Sequence, residues 1–183
     1  MSDAKELQII AKGISVLYVE DNDSLREKAG NLLKKFFRKV DLAENGQVGL
    51  ELFKKNHSHI VITDIQMPKM DGLTLIKRVS KINPETKTII MSAFDNKEYL
   101  LKGIELRVFR FLNKPVNVAE LTDVLYQAIV EIKNEHSGKV FYAHLKNIFN
   151  YQSSMVLMFN NDKPTLANQM FLDYFGVESI DRL

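Results

Sequence analysis

Five side chains in the 183-residue chain have the types and placement for joint chemistry. Asp64 stands just past Ile60, Val61 and Ile62, a β-branched apolar run that reads as a strand buried on both faces. Glu20 and Asp21 follow ISVLYV at 14–19, Ser92 follows the apolar run at 88–91, and Lys114 follows the one at 108–112. Three carboxylates in one crevice repel one another unless a cation lies between them or their pKa values rise. The set offers oxygen ligands without imidazole or thiolate, which selects a hard ion such as Mg²⁺. A hydroxyl and an ammonium suit an anion's oxygens instead. The economical account is a phosphoryl group carried on one carboxylate, with Mg²⁺, Lys114 and Ser92 each taking one of its oxygens. Taken singly, each residue has a plainer role. Asp64 and Ser92 can be turn or capping residues, Asp95 can cap the next helix, and Asp23 and Ser24 suit caps of the first one.

The elements that would gather these residues alternate. After the strand at 14–19, apolar positions Leu25, Ala29, Leu32, Leu33 and Phe36 recur at helical spacing. A weaker strand at 40–43 leads through Glu44-Asn45-Gly46 into a helix reaching about Asn56. The strand before Asp64 is closed by Met67-Pro68 and Asp71-Gly72, and a helix runs from about Leu73 to Ile82, ended by Asn83-Pro84. A strand at 88–91, a helix from about Asn96 to Leu106, a fifth strand at 108–112 and a long helix from about Val118 complete the series. Five strands alternating with helices predict an α/β fold, a parallel sheet covered on both faces. Right-handed crossovers favour a flavodoxin-like order of 2-1-3-4-5. In that order the ends of strands 1, 3, 4 and 5 face one crevice, which brings Glu20, Asp21, Asp64, Ser92 and Lys114 together.

Composition bounds the reading. Hydrophobic residues at 45% and charged residues at 26% are ordinary for a globular protein, and a net charge of +2 argues for neither nucleic acid nor membrane partners. The absence of cysteine excludes disulfides, thiolate zinc sites and cysteine nucleophiles. MSDAKELQIIAKG lacks a signal-peptide core, and no segment approaches the roughly 20 apolar residues of a membrane span. A cytoplasmic location is the expectation.

Four motifs occur in order at the ends of four strands: VLYVEDN at 16–22, DIQMPKMDG at 64–72, MSAF at 91–94 and FLNKP at 111–115. Over roughly residues 13–133 the chain resembles the receiver domain of two-component response regulators. The resemblance implies that Asp64 is the phosphoacceptor, taking its phosphoryl group from a histidine kinase, a phosphotransfer protein or a small phosphodonor. It makes Glu20 and Asp21 the acidic pair holding Mg²⁺, helped by Asp64 and the backbone carbonyl of Gln66. Ser92 becomes the switch hydroxyl, Lys114 the phosphate-binding lysine and Phe111 the switch aromatic, although in an apolar strand Phe111 is also ordinary core. Such a domain catalyses its own Mg²⁺-dependent phosphoryl transfer and loss without being a conventional enzyme. Gln66 and Phe94 flank the phosphoryl position and are expected to tune hydrolysis.

One departure stands out. The family usually runs Gly-x-Asp before the fifth strand, where this chain has Arg107-Val108-Phe109. A non-glycine residue in the left-handed conformation costs about 1 kcal/mol, so the preceding helix end is expected to be rebuilt. Phe109 is expected to add apolar surface on the face made by the fourth helix, fifth strand and fifth helix, where many receivers dimerise; an unchanged oligomeric state in Phe109→Ala would count against this.

Further along, Leu121, Leu125, Ala128, Ile129 and Ile132 form one apolar stripe, and Val140, Phe141, Leu145, Ile148 and Phe149 another, with a shift at Gly138. The division is an N-terminal extension at 1–12, a receiver at 13–133, a helical connector at 134–153 and a further segment at 154–183. The connector suits a homodimer seam or packing onto a following domain. His136 and His144 lack the His-Glu-x-x-x-x-Pro setting of kinase helices and read as surface or packing residues. In the last segment MVLMFN and TLAN are strand-like about an NDKP turn, and QMFLDYFG is an amphipathic helix after Asn168. This resembles the opening of a PAS sensor domain, so the chain looks like an excerpt of a longer protein with a histidine kinase or GGDEF diguanylate cyclase output. A DNA-binding output is disfavoured because no helix-turn-helix segment or basic stripe is evident. Two other classes compete. A haloacid-dehalogenase-type phosphatase would need a second Asp at position 66, which is Gln. A phosphorylation-independent interaction module is the other, although all five site residues are present.

Overall fold

The computed structural model describes residues 4–92, 97–150, 155, 157–160 and 163–180. They form two compact units, Met1–Lys133 and Asn134–Leu183. In the first unit, five parallel strands, β1 (Ser15–Val19), β2 (Lys39–Ala43), β3 (Ile60–Asp64), β4 (Lys87–Ser92) and β5 (Arg110–Asn113), lie in the order β2-β1-β3-β4-β5. This is the expected flavodoxin-like order. Alternation divides the apolar runs between the two faces. Val16, Tyr18, Ile60, Ile62, Ile89 and Met91 join one core cluster, whereas Leu17, Val19 and Val61 join a second on the opposite side. Burial on both sides explains why β1 and β3 read as unbroken apolar runs, while the edge strands β2 and β5 are more exposed and read weakly.

The helices begin on side-chain caps. Asn22 accepts from the Leu25 N–H and starts α2 (Asp23–Leu33), so the cap is Asn22 rather than Asp23 or Ser24. Asn45 caps α3 (Gly46–Asn56), and Asp71 caps α4 (Gly72–Ile82) by accepting from both the N–H and the hydroxyl of Thr74. Helix α2 stops at Leu33, short of Phe36 at the end of its apolar stripe; Phe36 and Phe37 close a turn on the Leu33 carbonyl and drop Phe37 into the core.

Residues before the sheet are not a bare extension. They form a short helix, α1 (Ala4–Ile10), whose Leu7 is 0% exposed in the same cluster as Phe37 and Ile129. Gln8 donates to the Lys35 carbonyl at 2.7 Å, and Tyr126 donates to Glu6 at 3.1 Å.

The end of α5 (Lys97–Glu105) is not rebuilt. Arg107 takes the left-handed conformation itself, with φ 55°; its N–H bonds to the Ile104 carbonyl and that of Val108 to Gly103. This is the doubly bonded helix end usually built on glycine. Because Val108 belongs to that cap, β5 begins at Arg110 and not at 108. Phe109 is half-buried against the core, with Lys87 and Arg110 placed 5.8 and 5.7 Å from its ring centre. Phe94 and Asp95 lie outside the described residues.

A single helix, α6, spans Val118–Asn150, with Leu121, Val124, Leu125, Ala128 and Ile129 buried. It continues through Gly138, and His136 is exposed. The side chains of Val140, Phe141, His144, Leu145, Ile148 and Phe149 lie outside the described set. In the second unit, antiparallel β6 (Leu157–Asn160) and β7 (Lys163–Ala167) precede α7 (Gln169–Phe175), capped by Asn168 and ended by Gly176 in the left-handed conformation. Lys163 and Pro164, expected in the turn, belong to β7, where Pro164 faces Phe159 beside a register irregularity. A strand of a two-stranded ribbon tolerates a residue without an N–H. Among the described residues no helix is long and apolar enough to cross a membrane.

Candidate functional site

At the carboxyl ends of the strands, Glu20, Asp21 and Asp64 present carboxylate oxygens all within 4.8 Å of one another. Asp64 is the last residue of β3, and the backbone around it is fixed by close packing of the following helix. Gly72, the first residue of α4, donates its N–H to the Ile65 carbonyl at 2.9 Å; a Cβ on Gly72 would lie 2.0 Å from the Asp64 carbonyl oxygen. Only glycine permits that approach, which explains why Asp-Gly follows the strand.

Lys114, just past β5, ties the cluster together. Its Nζ donates to Glu20 Oε2 and to Asp64 Oδ2, both at 2.6 Å. The other Asp64 oxygen accepts from the Ile65 N–H at 2.6 Å. Burial works against the Lys114 charge, but hydrogen bonds and charge from Asp64 and Glu20 outweigh it and raise the lysine pKa. Glu20 is only 2% exposed. A buried carboxylate in this position needs a cation beside it, and Lys114 supplies one.

Two further residues hold Glu20 that the sequence reading did not single out. Tyr18, two positions earlier on β1, donates its hydroxyl to Glu20 Oε2 at 3.4 Å. Burial, then the charge and hydrogen bond of Glu20, then the Asp64 charge push the Tyr18 pKa up, so it remains a donor. Arg26, in the first turns of α2, donates to the backbone carbonyls of Glu20 at 2.8 Å and Asp21 at 3.3 Å and pairs with Asp23. The signals were present: residues i and i+2 of a strand share a face, and a helix after Asn22 turns its fourth residue back over the loop.

Ser92, the last residue of β4, is buried, and its carbonyl accepts from the Lys114 N–H at 2.7 Å. In the sheet Met91 lies opposite Asp64 and Ser92 opposite Asn113, so Ser92 stands one step beyond Asp64 at the same edge. Phe111 lies opposite Ile90 and packs with Ile65, Leu73 and Ile76, on the side of the sheet that faces α5. The Gln66 side chain donates to the Tyr99 hydroxyl on α5 at 3.4 Å. The fold therefore brings Glu20, Asp21, Asp64 and Lys114 into direct association and sets Ser92 at the same strand edge. Phe111 borders the site through the core between β4, β5 and α5. The donor set, three carboxylates with one ammonium between them, fits a hard divalent cation such as Mg²⁺.

Comparison with known proteins agrees with this fold. The response regulator receiver domain model matches residues 16–126. The uncharacterized transcriptional regulatory protein YesN of Bacillus subtilis is 39% identical over 108 residues, which is 59% of this chain and 29% of that protein. A cyclic di-GMP phosphodiesterase of Thermotoga maritima is 32% identical over 105 residues, 57% of this chain and 28% of that one. The chain thus spans under a third of the length of either relative. Among solved structures, the N-terminal domain of an uncharacterized Wolinella succinogenes protein has a TM-score of 0.61 at 31% identity, covering 69% of this chain and 99% of that one. A response regulator receiver domain protein from Clostridium thermocellum has a TM-score of 0.62 at 26% identity, covering 66% and 97%.

Proposed function

The chain belongs to the response regulator receiver family, and from that premise we propose that Asp64 is its phosphoacceptor. A carboxylate oxygen of Asp64 forms the new O–P bond as the P–N bond of a partner's phosphohistidine breaks, the imidazole leaving with that electron pair; a small phosphodonor can take the partner's place. The observation that carries the reading is Lys114, whose ammonium lies 2.6 Å from both Asp64 and Glu20 at the open end of the sheet. Glu20, Asp21, Asp64 and the backbone carbonyl of Gln66 would hold Mg²⁺, which supplies neutralisation of the phosphoryl charge. Lys114 exchanges its carboxylate contacts for a phosphoryl oxygen, Ser92 donates its hydroxyl to another, and the Ile65 N–H keeps the Asp64 carboxylate oriented throughout.

The partner is a sensor histidine kinase or a phosphotransfer protein. A cleft of about 680 Å³ beside Lys114, lined by Leu25, Ala29, Leu32 and Val118, offers an apolar seat for a partner helix; Leu25 and Val118 are exposed there. Movement of Ser92 and Phe111 alters the face of α5, β5 and α6, which supports homodimerisation there and through α6. The signal then passes to a segment that begins a PAS domain, and to a histidine kinase or diguanylate cyclase output of the full-length, cytoplasmic protein.

Intact-protein mass after incubation with acetyl phosphate or phosphoramidate tests the reading. One added phosphoryl group is expected, which does not form when EDTA is present during the incubation and is absent from Asp64→Asn. A protein that no small donor and no candidate kinase labels would instead be a phosphorylation-independent interaction module.

A further inference from the structure

The interior of α5 contains Gly103, although a mid-helix glycine destabilises a helix relative to alanine. Its surroundings account for it. A Cβ built there would fall 2.0 Å from Cζ, 2.5 Å from Cε2 and 3.3 Å from Cε1 of Phe111. All three nearest atoms belong to one aromatic ring, which lies tip-on against the bare backbone of the helix. The helix cannot readily retreat. The Gly103 carbonyl is held by the Val108 N–H at 2.9 Å and the Ile104 carbonyl by that of Arg107 at 3.0 Å, while the Phe109 N–H is bonded to Thr88 of β4 at 2.8 Å. An added methyl would therefore displace the ring rather than the helix.

We propose that Gly103 is a positioning residue, the seat of the Phe111 ring in the unphosphorylated protein, and that it sets how readily phosphorylation at Asp64 reaches α5. The inference rests on the reading of Phe111 as the switch aromatic. The ring occupies this seat while Lys114 is engaged with both Asp64 and Glu20, the arrangement that precedes phosphoryl transfer. Filling the seat penalises that arrangement and leaves the alternative, in which the ring has left α5, comparatively favoured. A phosphoryl mimic that binds the second arrangement then meets a larger competent fraction.

Two measurements on the full chain test this. In the first, thermal unfolding is followed for wild type, Gly103→Ala, Phe111→Leu and the double variant, without Mg²⁺. Gly103→Ala is expected to lower Tm by roughly 2–4 °C in the wild-type background and to raise it in the Phe111→Leu background, where the helix gains alanine and meets no ring. A rise in both backgrounds overturns the seat. The second measurement is calorimetric titration with beryllofluoride in Mg²⁺, a non-covalent stand-in for the phosphoryl group. Gly103→Ala is expected to bind about three- to tenfold tighter than wild type. Equal affinity, or weaker, overturns the coupling. A wild type that binds no beryllofluoride overturns the phosphoacceptor reading and with it the coupling, whereas the Tm cycle still decides whether the ring sits on Gly103.

Discussion

Lys114 and His59 mark opposite ends of the sheet, and each is set by the backbone that precedes it. At the strand ends remote from Asp64, His59 Nδ1 faces Ser15, accepting from its N–H at 3.2 Å and lying 2.8 Å from its hydroxyl. Because the N–H can only donate, Nδ1 is the acceptor and the imidazole is neutral in the folded state. Burial, followed by the charge of Lys39, lowers the His59 pKa. A base whose folded pKa is depressed leaves stability intact above its unfolded value near 6.5, because neither state is protonated there. As pH falls through that value the unfolded chain takes up the proton first, and stability drops until the folded pKa is reached. Urea midpoints at pH 8 and pH 5 should therefore differ more for wild type than for His59→Asn, whose amide oxygen can accept from Ser15 without titrating. An equal difference in both proteins would mean that His59 carries no pH-dependent stability.

Among the elements, the end of α5 departs from what its residues would choose. Arg107 holds φ 55° because two hydrogen bonds at the helix end, from its own N–H and from that of Val108, require it. Arg107→Gly should stabilise the protein by about 0.5–1 kcal/mol, the relief of left-handed strain less the entropy glycine restores to the unfolded chain, measured by urea denaturation. No gain would mean that the arginine side chain offsets its own strain. The sequence made the buried elements legible for the reason that makes them stable: β1 and β3 are apolar on both faces, and Asp64, Glu20 and Lys114 follow strands whose parallel order could be inferred. Tertiary bonds were less legible. Arg107 kept the cap without glycine, since sequence spacing does not reveal that Val108 and Phe109 are anchored to Gly103 and Thr88. Helix α1 was missed because seven residues are too few for a periodic stripe; Leu7 becomes meaningful only once Phe37 and Ile129 surround it. Tyr18 and Arg26 escaped notice because their partners are a carboxylate and two carbonyls that any strand-loop-helix connection supplies.

At the scale of the whole molecule, signalling through the α5 face requires surface that can be covered and uncovered reversibly. Leu101 and Ile104 stand 53% and 70% exposed on α5, whereas Phe109 is half-buried beneath Lys87 and Arg110 and offers little. The exposed parts of four such side chains, two from each of two copies, would contribute about 4–7 kcal/mol if buried. Lost translational and rotational freedom costs about 4–15 kcal/mol, so a dimer through this face would stand near balance. A small rearrangement at Phe111 could then decide its population. Wild type with Mg²⁺ and beryllofluoride should sediment with a larger dimer fraction than without them. Ile104→Asp should remain monomeric under both conditions while still binding beryllofluoride, with the affinity that wild type shows when dilute enough to be monomeric, since position 104 lies away from the carboxylate cluster. A dimer that persists in Ile104→Asp would assign self-association to another surface, and a wild type that stays monomeric when loaded would leave the α5 face to a different partner.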